Sequence, residues 1–209
     1  MRWSTSTVRA SAGFIEPCLP TKADRAPIGP QWAYEIKHDG YRLMVRKVDD
    51  RVKIYTRRGA DWTKRFPRIV EAVRRLRVRS VLLDGEGVIV NRKGMAVFDR
   101  LHSCMHDDDV FLYTFDLLEL DGEDWRKAAM EARKARLAKV LARVKDGIQF
   151  NEHIEDDGQL VYEHACKMGL EGIVAKRLDL PYQSGRAKCW IKVKNPKSPA
   201  ALRVEDGTF

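Results

Sequence analysis

Short apolar runs separated by Asp-Gly turns constrain this chain more than any other feature. Trp32 to Lys37 reads as a strand, Asp39-Gly40 as a turn, and Arg42 to Val48 as a returning strand, which together predict a hairpin. Val52 to Thr56 follows Asp49-Asp50 as a third strand. Val81 to Val90 reads as a strand interrupted by Asp84-Gly85-Glu86-Gly87, and Val110 to Leu117 as another, leading to the Asp121-Gly122 turn. Gly172 to Ala175 and Trp190 to Val193 complete the strands. Helical spacing is sparser. Ile69, Val70, Val73 and Leu76 share one face. Ala132 to Arg143 is a basic amphipathic helix with Leu137, Val140 and Leu141 inward. In Gly158 to Met168, one side holds Leu160, Val161, His164, Ala165 and Met168, and Gly169 stops the helix. The pattern predicts an α+β fold built largely of antiparallel strands. Residues 1–30, with Pro17, Pro20, Pro27 and Pro30, are expected to form an extended arm on a domain spanning 31–209.

With 209 residues the chain can bury a substantial core. It has no apolar run long enough to span a bilayer and no apolar signal-peptide core, so a cytosolic (cytoplasmic) protein without a membrane partner is expected. The net charge of +9 favours a polyanionic partner or simply a basic surface. Cys18, Cys104, Cys166 and Cys189 form no C-x-x-C pair, so free thiols are expected rather than a zinc ribbon.

Polar residues with no evident core role gather at strand ends. Lys37 closes the first strand; alternation puts Glu35 with it on one face and Ile36 on the other. Glu86 lies between two glycines that allow close backbone approach. Phe115-Asp116 closes another strand, and Glu171 and Lys176 flank the apolar run Gly172 to Ala175. Lys192 and Lys194 share a strand face and repel each other unless an anion lies between them. These residue types suit attack by a lysine on a nucleoside triphosphate. The amine must be neutral to attack, and neighbouring cations and partial burial favour that form. Arg42, Lys176, Lys192 and Lys194 are candidate neighbours, and the same cations would stabilise phosphate charge. Glu86 and Glu171 are candidate ligands for a divalent metal, magnesium first, and Phe115 is a candidate platform for a purine.

With these segments in order, the sequence resembles the adenylation (nucleotidyltransferase) domain of ATP-dependent DNA ligases, especially bacterial modules of the non-homologous end-joining type. The similarity runs through Phe14-Ile15-Glu16-Pro17, Glu35 to Arg42, Thr56-Arg57-Arg58-Gly59 with Asp61-Trp62-Thr63, Leu83 to Glu86, Phe115 to Leu118, Glu171 to Lys176 and Trp190 to Asn195. The resemblance implies antiparallel sheets with flanking helices around a nucleotide cleft. It implies that Lys37 forms a lysyl-AMP from ATP with magnesium or manganese, that AMP passes to the 5′-phosphate of nicked duplex DNA, and that a 3′-hydroxyl then seals the strand in repair. By the same similarity, Glu35 and Ile36 border the adenine and Phe115 stacks on it. Arg42 and Glu86 lie near ribose and phosphate, and Arg57 near the ribose or the nick's 5′-phosphate. Lys176, Lys192 and Lys194 bind the α-phosphate region, and Glu86 and Glu171 serve the metal.

Glu171 and Lys176 are five residues apart, so both can serve one site only if the chain bends near Gly172. Fifteen residues follow Lys194, too few for the C-terminal oligonucleotide-binding (OB) barrel of family ligases. The reading therefore includes an accessory repair protein or an OB-domain protein as a partner. Two alternatives stand beside it: an RNA ligase or capping-type nucleotidyltransferase, and a non-catalytic module that binds nicked DNA or a partner.

Overall fold

The computed structural model describes residues 13–144 and 146–205. Part of the expected arm, residues 1–12, lies outside the described residues. The chain forms two sheets. The first has the order β1-β11-β10-β2-β9, from β1 (Cys18–Lys22), β11 (Gly185–Lys194), β10 (Gly172–Arg177), β2 (Trp32–Ile36) and β9 (His153–Ile154). The second has the order β4-β3-β5-β6-β7, from β4 (Arg51–Thr56), β3 (Tyr41–Val48), β5 (Ser80–Val88), β6 (Phe111–Leu120) and β7 (Glu123–Asp124). Here β8 (Ile148–Phe150) adds to β6. Pairing is antiparallel except β1 with β11 and β6 with β8. The helices are α1 (Pro67–Arg74), α2 (Phe98–His102), α3 (Met130–Leu141), α4 (Gly158–Lys167) and α5 (Pro199–Glu205).

The expected α+β class and antiparallel bias are present, but two readings change. The predicted hairpin across Asp39-Gly40 does not form. β2 pairs with β9 and β10 in the first sheet, while β3 pairs with β4 and β5 in the second. The chain therefore crosses between sheets at residues 37–40. Gly40 permits this close passage, since a Cβ there would meet Gly87 O at 2.3 Å. β5 is also continuous from Ser80 to Val88 rather than interrupted, because both neighbours pair through Asp84 to Gly87. True hairpins form at Asp49-Asp50 and Asp121-Gly122, where Asp49 (φ 51°), Asp121 (φ 51°) and Gly122 (φ 87°) take positive φ.

Strand alternation gives the second sheet two apolar faces. Leu43, Val45, Leu83 and Leu117 pack toward Ile69, Val73 and Leu137 of the helices. Met44, Leu82, Phe115 and Leu118 pack toward Cys189 and Trp190 of the first sheet. A third cluster lies behind the first sheet, where Val161 and Ala165 of α4 meet Tyr34, Ile173 and Val193. Within α4 the expected inward set narrows: Leu160, His164 and Met168 are exposed, because the stripe through Gly158, Val161 and Ala165 faces the sheet.

Candidate functional site: a lysine-rich cleft between the sheets

Lys37 sits on the crossover between sheets, one residue past β2. Its backbone N–H donates to Gly172 O at 3.0 Å, which ties the crossover to the start of β10. Its Nζ lies 2.5 Å from Glu171 Oε2, and the other Glu171 oxygen is 3.1 Å from Lys194 Nζ. One carboxylate thus bridges two lysines from separate segments. Gly172 makes this possible: its φ is +138°, and a Cβ there would lie 2.1 Å from Val193 O. This is the bend that the five-residue spacing of Glu171 and Lys176 requires.

Beyond the bend, Lys176 points into a dry network. Its Nζ is 2.7 Å from Glu35 Oε2, while Lys134 Nζ on α3 is 2.8 Å from Glu35 Oε1. Asn151 Nδ2 adds a 3.2 Å bond to Glu35 Oε2. All four side chains are buried. Burial opposes ionisation of Glu35, but Lys134 and Lys176 outweigh it and hold the carboxyl below its usual range. Two ammonium groups share this one carboxylate, and burial pushes Lys176 down from the usual lysine range.

Arg42 forms a fork with Asp84, at 2.6 Å and 2.8 Å, and Tyr182 donates to the same carboxylate at 2.7 Å. The Arg42 guanidinium lies 4.5 Å and the Lys176 ammonium 4.2 Å from the Phe115 ring centroid. Phe115 meets Trp190 edge to face at 6.0 Å. Glu86 lies across the strand pair from Arg42, and burial raises its carboxyl to about 7 against the opposing pull of Lys37 and Arg42. Among the described residues, none donates a hydrogen bond to the Glu86 carboxylate.

Glu35, Ile36, Lys37, Arg42, Glu86, Phe115 and Lys176 therefore line one narrow cavity of about 70 Å³. Lys194 reaches its mouth through Glu171. Lys192 is close enough to Lys37 and Lys194 that burial first, and then their charge, lowers it. Arg57 is the exception. It is exposed in the turn after β4 and is not among the cavity residues. Of the cations expected beside Lys37, Arg42 is committed to Asp84 and Lys176 to Glu35, so the group in direct contact with the amine is the Glu171 carboxylate.

Sequence reasoning missed several participants. The basic-helix pattern gives Lys134 no inward role, yet it is 1% exposed. Its neighbour Arg133 forms a buried pair with Asp116 at 2.7 Å. His38 stacks on Tyr113 at 3.8 Å and bonds Asn151 at 3.0 Å, and burial drops it to about 4. From α5, Arg203 pairs with Asp39 beside the lysine. A detectable signal existed only for His38, by adjacency to Lys37.

A family model for the ATP dependent DNA ligase domain matches residues 20–194, a span that contains every residue lining the cavity. The chain belongs to the ATP-dependent DNA ligase domain family. It is 39% identical over 185 residues to the multifunctional non-homologous end joining protein LigD of Pseudomonas aeruginosa, covering 87% of this chain and 22% of that protein. It is 34% identical to a DNA ligase of Thermococcus fumicolans, covering 90% of this chain and 38% of the relative. Among solved structures, the ligase domain of Mycobacterium tuberculosis LigD superposes with a TM-score of 0.75 at 32% identity, covering 85% of this chain and 60% of that one. A mycobacterial DNA ligase D complexed with ATP and MES gives 0.74 at 33% identity, covering 85% and 59%. This family domain thus spans about a fifth of the LigD protein it matches and three-fifths of the solved ligase domain.

The donor chemistry of the domain suits a hard cation. Glu86 and Glu171, close enough that the Glu171 charge helps raise the Glu86 carboxyl, would supply carboxylate oxygens, and Mg²⁺ binds through one or two carboxylates together with substrate phosphates. Among the described residues there is no cluster of three or more His, Cys, Asp or Glu that could hold a metal ion. Among the described residues, no helix is long and apolar enough to cross a membrane.

Proposed function

We propose that this chain is the adenylation core of an ATP-dependent DNA ligase acting on nicked duplex DNA in repair. The observation that carries the reading is Lys37 at the rim of the cleft, held by Glu171 beside Lys194, within a matched ligase domain. Lys37 Nζ attacks the α-phosphorus of ATP; the N–P bond forms and the P–O bond to pyrophosphate breaks. Glu171 Oε2, 2.5 Å away, is placed to receive the amine's proton. Lys192 and Lys194 stabilise phosphate charge as it develops. Glu35 and Ile36 border the base, with Phe115 and Trp190 as aromatic walls, and Lys176 and Arg42 stiffen those walls. Magnesium or manganese at Glu86 and Glu171 would neutralise triphosphate charge. AMP then passes to the nick's 5′-phosphate, where exposed Arg57 is free to contact DNA rather than ATP.

Residues 31–209 act as the nucleotidyltransferase unit in this reading, in the cytoplasm, together with an accessory repair protein or OB-domain protein. Labelled nicked duplex, supplied with ATP and magnesium or already carrying 5′-AMP, tests it. Sealing of the pre-adenylated nick is expected. Failure on both substrates, or a preference for GTP or for RNA nicks, would overturn it.

A further inference from the structure

A second cavity, about 920 Å³ against about 70 Å³, is far larger than the lysine cleft. It is a groove on the opposite side of the second sheet. Its floor includes Leu76, Val78, Val140 and Val144, which belong to or pack on the helix-side core. The lysine cleft is walled instead by Phe115 and Trp190 of the inter-sheet core. An occupant of the groove would therefore leave the cleft open.

The rim of the groove is basic. Arg77, Lys139 and Arg143 are exposed, and among the described residues none has a carboxylate within ion-pair distance. Arg136 faces Trp125 rather than an acid. The acids here are already engaged: Glu71 by Arg74 and Arg75, Asp146 by Arg68, and Asp121 by the backbone N–H groups of Arg79 and Ser80. The result is a surplus of positive charge around an apolar floor.

We infer that this groove docks an acidic amphipathic helix of a partner protein. Charge complementarity sets the sign of the partner. The floor decides its class. A single nucleic acid strand binds through phosphates and stacks its bases on aromatic rings, and among the described residues no aromatic side chain lines this groove. A partner helix instead places apolar side chains at i, i+3, i+4 and i+7 into such a trough, its carboxylates reaching the arginine and lysine rim. The groove is thus a recruitment surface that is separate from the chemistry.

The test uses the full chain and a labelled synthetic helical peptide with Leu and Trp anchors at that spacing and Glu and Asp elsewhere. Fluorescence anisotropy should show saturable binding. Combining Arg77→Glu, Lys139→Glu and Arg143→Glu should weaken it roughly tenfold or more, and so should replacing the peptide's anchors by Ser. Lysyl-AMP formation by the triple variant should match that of the unaltered chain. Three results would overturn the inference: no binding, equal binding by the anchorless peptide, or affinity unmoved by charge reversal. A single-stranded oligonucleotide that displaces the peptide, and whose own binding is lost in the triple variant, would assign the groove to nucleic acid instead.

Discussion

Two clusters, each of two lysines on one glutamate, lie in the same cleft and differ chiefly in their access to water. At the rim, the Lys37 side chain is 22% exposed, and its partner Glu171 is shared with Lys194, itself 34% exposed. In the interior, Glu35, Lys134 and Lys176 are each 2% exposed or less. The distances are similar, 2.5 Å and 3.1 Å against 2.7 Å and 2.8 Å. Geometry alone would rank the pairs as equals. Solvent separates them: the rim lysines keep access to water although Glu171 itself is only 6% exposed, while removing the shared carboxylate of the dry network strands two buried charges. The rim pair suits a nucleophile that must change partners during a reaction. The inner network suits a wall that must not move.

The largest stability effect should come from the dry side. Glu35→Ala strands two buried ammonium groups and should lower unfolding free energy by about 3–5 kcal/mol. Glu171→Ala, by contrast, removes a buried carboxylate but leaves two lysines that reach water, so it should cost less, about 1–2 kcal/mol, while sharply slowing lysyl-AMP formation. Urea denaturation of both variants measures the difference; equal losses would break the comparison. Next in size, Lys134→Met leaves one lysine on one carboxylate and should cost about 1.5–3 kcal/mol, less than Glu35→Ala.

A smaller effect concerns pH. Burial holds His38 at about 4 in the folded chain against an ordinary value of 6.5. Its folded pKa is depressed, so the unfolded chain binds the extra proton first. The stability it contributes is whole above 6.5 and is lost as pH falls from there toward 4. His38→Gln should therefore flatten the stability curve across that window; parallel curves for the two proteins would remove His38 from the account. Smallest of all, Arg57→Ala should leave the rate of lysyl-AMP formation within about twofold, as expected for an exposed residue outside the cavity. A larger loss would place Arg57 at ATP.

The sequence exposed the rim of the cleft better than its floor. Lys37, Glu86 and Glu171 stand next to glycines and strand ends, where a polar residue has no packing role and so attracts notice. Lys134 and Arg133 were hidden because a charged residue on an amphipathic helix ordinarily faces water, and Asp116, expected to close its strand, lies inside β6, where it meets Arg133. Only tertiary packing supplies their partners, 99 residues apart for Lys134 and Glu35. The hairpin misreading has a related cause. Asp39-Gly40 carries a strong local turn signal, but β2 and β3 each pair elsewhere, with β10 and β5 respectively. Local turn chemistry cannot say which sheet the next strand joins. The hairpins at Asp49-Asp50 and Asp121-Gly122, by contrast, involve adjacent strands of one sheet, so local signal and global fold agree.

The central claim is that Lys37 is the group that takes AMP. Intact mass and peptide mapping after incubation with ATP and magnesium, run beside Lys37→Ala, test it most directly. The account predicts a gain of one AMP localised to the peptide containing Lys37, and no gain in a variant that unfolds at nearly the same urea concentration. An AMP adduct that persists in Lys37→Ala, or one that maps to another lysine, would contradict it.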